Sequence, residues 1–304
     1  MSSIRSSIRL LAIGEVMAEI RAQDDGFVVG FAGDTYNTAV YAARQLGAPG
    51  QVGYVTRIGR EPLSQALLDN ASAEGLDVSH VALDETRNIG IYAVATDAHG
   101  ERSFSYWRAD SAARQLFAVE ETALFMPKAE IIYLSGITLA ILTPAARTRL
   151  FEWLAETRAA SETRIAFDSN FRPALWENRA TARETMDRMW QLTDIALPSI
   201  DDEMALHGLD SEDAVITRFA ARDWDGIAIK RGVRGPISPS LASDDLPDFP
   251  PATNVVDTTA AGDSFNGGYL AAFLTGLGEA ERLAAGHRLA AAVVAAPGAI
   301  IPHR

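Results

Sequence analysis

The sequence predicts an α/β protein, with a central, mostly parallel sheet flanked by helices and a small β element projecting from it. Three observations carry this. Short apolar runs of strand length alternate with stretches of helical spacing along the whole chain. Early extended pieces, around residues 16–20 and 89–108, interrupt that rhythm and read as the projecting element. The chain has 304 residues, 48% of them hydrophobic, which suffices for the core of one large α/β domain.

The elements follow in order. Leu10-Leu11-Ala12-Ile13 reads as a buried strand stopped by Gly14, and Val16 to Ile20 continues as alternating extended chain. Thr35 to Leu46 has helical spacing and stops at Gly47. Gln51 to Thr56 reads as a strand, and Pro62 to Glu74 as a helix closed by Gly75. Ile89 to Thr96 and Arg102 to Arg108 alternate, and Asp97-Ala98-His99-Gly100 joins them as a hairpin. Ile131 to Leu134 resumes the buried-strand pattern, and Pro144 to Thr157 is helical with proline near its first turn. Ile165 to Phe167, Ile195 to Leu197 and Ile227 to Ile229 are strands, with a helix over Ala180 to Leu192. Pro236 to Pro251 reads as loop rather than a domain boundary. Val255-Val256 reads as a strand end, and Gly262 to Leu274 and Glu279 to Ala296 as the last two helices.

Composition excludes several functions. Lys and Arg number 27 against 40 Asp and Glu, a formal charge of −13, which opposes non-specific nucleic-acid binding and docking on an anionic membrane. There is no cysteine, so disulfides, Cys-ligated zinc, iron–sulfur clusters and thiol nucleophiles are excluded. The apolar run after the N-terminus is too short for a signal-peptide core, and no run approaches the ~20 residues that span a bilayer. A soluble, cytoplasmic protein is expected. Gly-Lys never occurs, so there is no Walker loop; nor is there a His-Glu-x-x-His or Gly-x-Ser-x-Gly segment. A dinucleotide fingerprint is missing after the first strand, where Gly14-Glu15-Val16 stands.

The strongest local signal is Val255 to Tyr269, where a turn of small residues, Thr258-Thr259-Ala260-Ala261-Gly262, runs into a helix. Small residues admit a ligand close to the backbone. The first amides of a helix lack internal partners and carry the positive end of its dipole, which suits phosphate. Asp263 falls in the first turn. An acid there either compensates the dipole or serves as a general base for a substrate hydroxyl, the residue that phosphoryl transfer requires beside charge-stabilising donors. Asp257 is either a loop acid or a group on the ligand side.

Asp257-Thr258-Thr259-Ala260-Ala261-Gly262-Asp263 resembles the C-terminal signature of the PfkB (ribokinase-like) carbohydrate kinases. Gly33-Asp34-Thr35-Tyr36-Asn37-Thr38-Ala39 resembles the family's sugar-binding segment, and Gly59 to Leu67 its following glycine and helix. Lys230-Arg231-Gly232-Val233-Arg234-Gly235 resembles the turn near the nucleotide, and Gly298-Ala299 also fits. The likeness runs from about Leu10 to Ile301. It implies a single ribokinase-like kinase domain over 1–304, with lid strands inserted at about 15–32 and 88–109. Within the family, Ser105-Tyr106-Trp107-Arg108 with Ser111-Ala112-Ala113, and Asp168 to Trp176, point with the two glycine segments to the 2-keto-3-deoxygluconate kinases.

The resemblance assigns roles. Asp263 becomes the catalytic base, with Ala260, Ala261 and Gly262 forming the anion hole. Gly33, Asp34, Asn37, Tyr92, Tyr106, Arg108, Asn170, Arg172 and Asp257 fall on the substrate side. A sugar acid's carboxylate suits a guanidinium that offers two parallel hydrogen bonds, and Arg108 and Arg172 are the candidates. ATP is implied as the donor, near Ser199, Lys230, Gly232, Gly235, Ala261 and Gly262. Mg²⁺ is implied with it. The family's usual Asn-x-x-Glu corresponds to Ser199-Ile200-Asp201-Asp202, with Glu203 one residue out of register, so Asp202 is the metal-side candidate. The family often binds a monovalent cation such as K⁺ beside the anion hole, with Asp257 near, and dimers or larger homo-oligomers are common. Two other readings stand beside this one: a kinase of the same family for another sugar, fructokinase-like, and a non-catalytic sugar-binding protein on the same fold.

Overall fold

The computed structural model describes residues 8–23, 26–96, 102–119 and 126–303. The chain starts in β1 (Leu10–Ile13), leaves through β2 (Met17–Gln23) and β3 (Gly26–Ala32), and returns in α1 (Asp34–Leu46) and β4 (Val52–Val55). β5 (Arg57–Ile58), α2 (Pro62–Ala73), β6 (Leu76–Asp77) and β7 (Ala82–Leu83) follow, then β8 (Gly90–Thr96) and β9 (Arg102–Trp107). The hairpin tip expected at Asp97–Gly100 lies outside the described residues. Beyond it come β10 (Ile131–Ser135), α3 (Gly136–Ile141), α4 (Pro144–Ala160), β11 (Arg164–Asp168), α5 (Arg179–Leu192) and β12 (Ile195–Ala196). The chain closes with α6 (Ile200–His207), α7 (Glu212–Ala220), β13 (Gly226–Ile227), α8 (Ala261–Leu274) and α9 (Glu279–Val294).

The central sheet has the order β13-β12-β11-β10-β1-β4-β6, and every neighbouring pair is parallel. Strands covered on both faces read as unbroken apolar runs, which is why β1, β4 and β10 stand out in the sequence. Alternate residues divide between the two faces. Leu11, Ile13, Ile132, Leu134 and Phe167 pack with Leu139, Leu150, Met186 and Val215 from α3, α4, α5 and α7. Leu10, Ala12, Tyr133 and Ala166 pack with Val40, Leu67 and Leu270 from α1, α2 and α8 on the other face. Trimming a fully buried member such as Leu150 to alanine would cost about 2–5 kcal/mol.

A second sheet, β3-β2-β8-β9, is mixed, with β2 and β8 parallel and its outer pairs antiparallel. It coincides with the early extended runs, although its first strand begins at Met17 rather than at residue 15. Glu15 and Val16 form a buried link instead.

Two expectations are corrected. Val255 and Val256 are not a strand: 57% and 48% exposed, they find no partner strand, and the Val256 N–H donates to the Val294 carbonyl at 2.8 Å. Three helices also exceed the sequence reading. α3 is six residues long and starts straight from β10 on a Ser135–Thr138 capping box, so it is too short for a period to show. α6 and α7 are eight and nine residues long, too short to stand out by period, and carry acids in their first turns.

Candidate active site

The carboxyl ends of β1, β10 and β11 converge with the amino ends of α1 and α8, the usual place for a ligand in an open α/β sheet. Ala260 caps α8 from the left-handed region, at φ 60°, and no side chain caps the helix. The turn is tied from below by buried Asp257, which accepts the Thr259 N–H at 2.9 Å and the Gly298 N–H at 2.5 Å. Ala261 N–H is spent on the Thr258 carbonyl at 3.2 Å, and the amides of Gly262 and Asp263 have no side-chain partner among the described residues. They form an uncapped, electropositive helix start.

Asp263 lies against this turn. Its carboxylate accepts the Asn37 amide at 2.8 Å, and its carbonyl accepts the Thr38 hydroxyl at 3.1 Å. Burial pushes the Asp263 carboxyl up to about 7; the charges of Asp34 and Asp168 add to this, while Asn37 and Lys230 oppose it. Asp34 accepts the Ser135 hydroxyl and, at 2.7 Å, the Asn170 amide. Burial raises Asp34 as well, against these hydrogen bonds. Asn170 is itself in a left-handed conformation, φ 27°, with its N–H donating to Asp168 at 3.3 Å. Two close approaches fix these pieces. A Cβ on Gly33 would stand 2.2 Å from the Glu15 carbonyl oxygen, and one on Gly136 would stand 2.0 Å from the Ser169 carbonyl oxygen.

Lys230 enters from beneath. Its Nζ lies 2.8 Å from Asp168 Oδ2 and 3.2 Å from Asn266 Oδ1, and Asn266 donates to Asp168 at 2.6 Å. The ammonium would be 3.8 Å from a Cβ on Gly262, so it sits beside the open turn. An apolar cleft of about 310 Å³ opens from the same turn, walled by Gly232, Val233, Val255, Ala290, Ala291 and Val294. His287 also lines it, with Nε2 2.8 Å from the Pro250 carbonyl oxygen.

The structure therefore joins Asp34, Asn37, Asn170 and Asp263 in one network, with Lys230, Ala261 and Gly262 at its cleft side. Other candidates lie further out. Arg172 is 54% exposed in its side chain and donates to Asp202 at 3.3 Å, while burial raises Asp202 despite that guanidinium. Ser199 donates its N–H to Ser169 Oγ at 2.9 Å. Glu203 turns away to Trp190 at 3.2 Å, and burial pushes it up to about 8. Gly235 does not line the cleft; it adopts φ 74° with Phe249 packed where a Cβ would be. The Tyr92 hydroxyl donates to Glu19, and its ring packs beside Ala260 and Ala299. Tyr106 is mostly exposed and lies 5.9 Å from the Tyr92 ring. Arg108 pairs with Glu15.

A family model described as pfkB family carbohydrate kinase matches residues 7–304. The chain belongs to the pfkB family of carbohydrate kinases. Among curated relatives, a 2-dehydro-3-deoxygluconokinase of Escherichia coli strain W is 41% identical, covering 97% of this chain and 98% of its own. One of Dickeya dadantii is 38% identical, covering 95% and 96%. A fructokinase of Klebsiella pneumoniae is 29% identical, covering 86% and 83%. Among solved structures, a fructokinase of Vibrio cholerae holding fructose, ADP and calcium matches with a TM-score of 0.81 at 20% identity, over 96% of this chain and 94% of that one. A PfkB protein of Polaromonas matches with 0.78 at 24%, over 95% and 96%. These likenesses show the ribokinase-like fold of the family.

Within that pfkB frame, the residues that sequence reasoning passed over are connectors. Asp168 and Asn266 stood inside quoted segments without a role, and Ser135 and Tyr133 were unmarked. The available signal was position, since Ser135 and Asp168 each end a buried parallel strand, where polar groups have no packing reason to be. Among the described residues no helix is long and apolar enough to cross a membrane.

Proposed function

We propose that this chain phosphorylates 2-keto-3-deoxygluconate, also called 2-dehydro-3-deoxygluconate, with ATP, giving 2-keto-3-deoxy-6-phosphogluconate. It is thus a phosphotransferase with an alcohol group as acceptor. Partly buried Asp263 beside the open amides of α8 and the Lys230 ammonium carries the chemistry. Likeness over nearly the whole chain to kinases of one sugar acid supports the substrate.

The terminal hydroxyl donates its proton to the Asp263 carboxylate as its oxygen attacks the γ-phosphorus, and ADP leaves with the electrons of the broken bond. A carboxyl near 7 is matched to this task at neutral pH. The amides of Gly262 and Asp263 and the Lys230 ammonium face the charge on the transferring group. Asp34, Asn37 and Asn170 present hydrogen-bonding groups to the sugar, and Arg172 and Arg108 to its carboxylate. Adenine packs in the apolar cleft, with Gly232 admitting the nucleotide. The four-stranded sheet acts as a lid that excludes water.

Mg²⁺ takes hard oxygen ligands and keeps much of its coordination for phosphate and water, so one or two protein carboxylates suffice. Asp202, with an oxygen-only side chain near Asp168 and Lys230, fits that need and would hold the ion, which offsets charge on the β and γ phosphates. Asp257, buried under the α8 turn with its carboxyl oxygens turned to backbone N–H groups, supports a monovalent cation such as K⁺ nearby. The exposed faces of Phe27, Phe104 and Trp107 support a homo-oligomer. The −13 charge supports an enzyme that binds neither nucleic acid nor an anionic membrane surface, and a chain without cysteine fits a reducing, cytoplasmic compartment.

The deciding experiment is ADP release over a panel of neutral sugars and aldonic or ketodeoxy acids. Highest kcat/KM for 2-keto-3-deoxygluconate is expected; a preference for fructose would replace this reading with the fructokinase one. Arg172→Ala should weaken sugar acids roughly 10–100-fold and neutral sugars little, whereas equal losses would refute its role with the carboxylate.

A further inference from the structure

A buried charge pair stands where the chain passes between the two sheets, and neither phosphoryl transfer nor the network around Asp263 uses it. Glu15 lies in the link from β1 to β2, and Arg108 directly follows β9. Arg108 Nη2 donates to Glu15 Oε2, and the Ser111 hydroxyl donates to Glu15 Oε1 at 2.5 Å. The Glu15 side chain is 1% exposed and that of Arg108 12%. Such burial requires pairing, and here the pairing is incomplete. Arg108 Nε is buried with no acceptor among the described residues. A guanidinium offers five N–H groups in one plane, and Glu15 engages one of its corners. The pair is also fixed to the sugar end of the site, because the Glu15 carbonyl packs on Gly33, which opens the helix carrying Asp34 and Asn37.

We propose that Glu15 is a positioning residue for sugar-acid recognition, holding Arg108 through Nη2 so that the rest of the guanidinium is kept in place for the substrate carboxylate. This rests on the sugar-acid kinase reading, in which Arg108 is a carboxylate partner. An arginine held in place during folding loses little further freedom on binding. The unpaired Nε shows that Glu15 leaves the hydrogen-bonding capacity of the guanidinium unfilled, and a carboxylate partner adds charge-assisted bonds to it. Ser111 holds the second Glu15 oxygen, so the carboxylate is anchored at both oxygens.

A tie that merely joins two chain crossings would behave differently from a positioning group, and steady-state kinetics separates them. The full chain is assayed as wild type, Glu15→Gln, Arg108→Ala and the double variant, varying 2-keto-3-deoxygluconate and ATP in turn. Glu15→Gln should raise KM for the sugar acid about 10-fold, with kcat and the ATP KM within about 2-fold. Arg108→Ala should raise it at least as far, and the double variant no further than Arg108→Ala alone. Effects that multiply in the double variant, or an equal rise in both KM values, would overturn the proposal. If Arg108→Ala leaves the sugar-acid KM unchanged, the carboxylate role of Arg108 fails first, and the proposal with it. Should Glu15→Gln not fold, Glu15→Asp keeps the charge at shorter reach. It should raise the sugar-acid KM roughly 3-fold at unchanged kcat; a change confined to kcat or to ATP would refute the positioning role.

Discussion

Around Asp263, the polar side chains come from α1, β10, β11, α8 and the segments after β11 and β13, and are at least partly buried and cross-linked: Asn37 to Asp263, Ser135 and Asn170 to Asp34, Asn266 and Lys230 to Asp168. A few residues away, the cleft between Gly232 and Val294 is walled by small and apolar side chains from a loop and α9. On the function proposed above, the difference follows from what each end must recognise. A sugar acid is distinguished by the placement of hydroxyls and a charge, so its end needs fixed partners whose protonation is set by burial. A purine is a flat apolar surface, and a slot with few polar contacts suffices.

The contrast breaks first at Asp263. Asp263→Asn keeps the shape and the Asn37 neighbour but removes the proposed base, so kcat should fall about 10²–10⁴-fold with sugar KM little changed. Steady-state ADP release checks it. Turnover near wild type would mean that the buried network binds but does not react.

The same contrast explains what the sequence disclosed. The buried strands and the α8 turn were legible because parallel strands read as apolar runs and small residues before a helix announce an anion site. Gly33, Asp34 and Asn37 were marked by the likeness of one short segment to a family motif, and the fold places that segment at the start of α1. The connectors were not. Asp168 meets Lys230 and Asn266 from positions 62 and 98 residues away, a pairing no local pattern encodes. The cleft walls were silent for the opposite reason, since Val255, Ala290 and Val294 carry no chemistry that separates them from packing residues. Arg108 and Arg172 were marked as a pair, yet the fold gives one to Glu15 and the other to Asp202.

A smaller effect is expected at the apolar end. Val255 lines the cleft and is exposed, so Val255→Asp should leave folding intact while removing apolar contact with the nucleotide. At roughly 25 cal/mol per Å² of lost contact, the ATP KM should rise about 5–10-fold, with sugar KM and Tm unchanged. A rise in sugar KM of the same size would show that the two ends are not separate.

The smallest effect concerns stability, and it tests whether the buried end is strained by its own charges. The folded Asp263 carboxyl sits at about 7 against an ordinary 3.8, because burial and the Asp34 and Asp168 charges disfavour the anion. Between those values the folded chain keeps a proton that the unfolded chain has released. Stability from this group is therefore lost as pH rises through the window and is at its lowest above about 7. Asp263→Asn, which never ionises, escapes the loss. Its Tm should exceed that of wild type by roughly 2–8 °C at pH 8, and the gap should close towards pH 4. Calorimetry at several pH values reads both. A gap that stays constant with pH would mean that Asn37 and Lys230 fully compensate the ionised carboxylate, and the acidic end would then be held together by the charges that otherwise strain it.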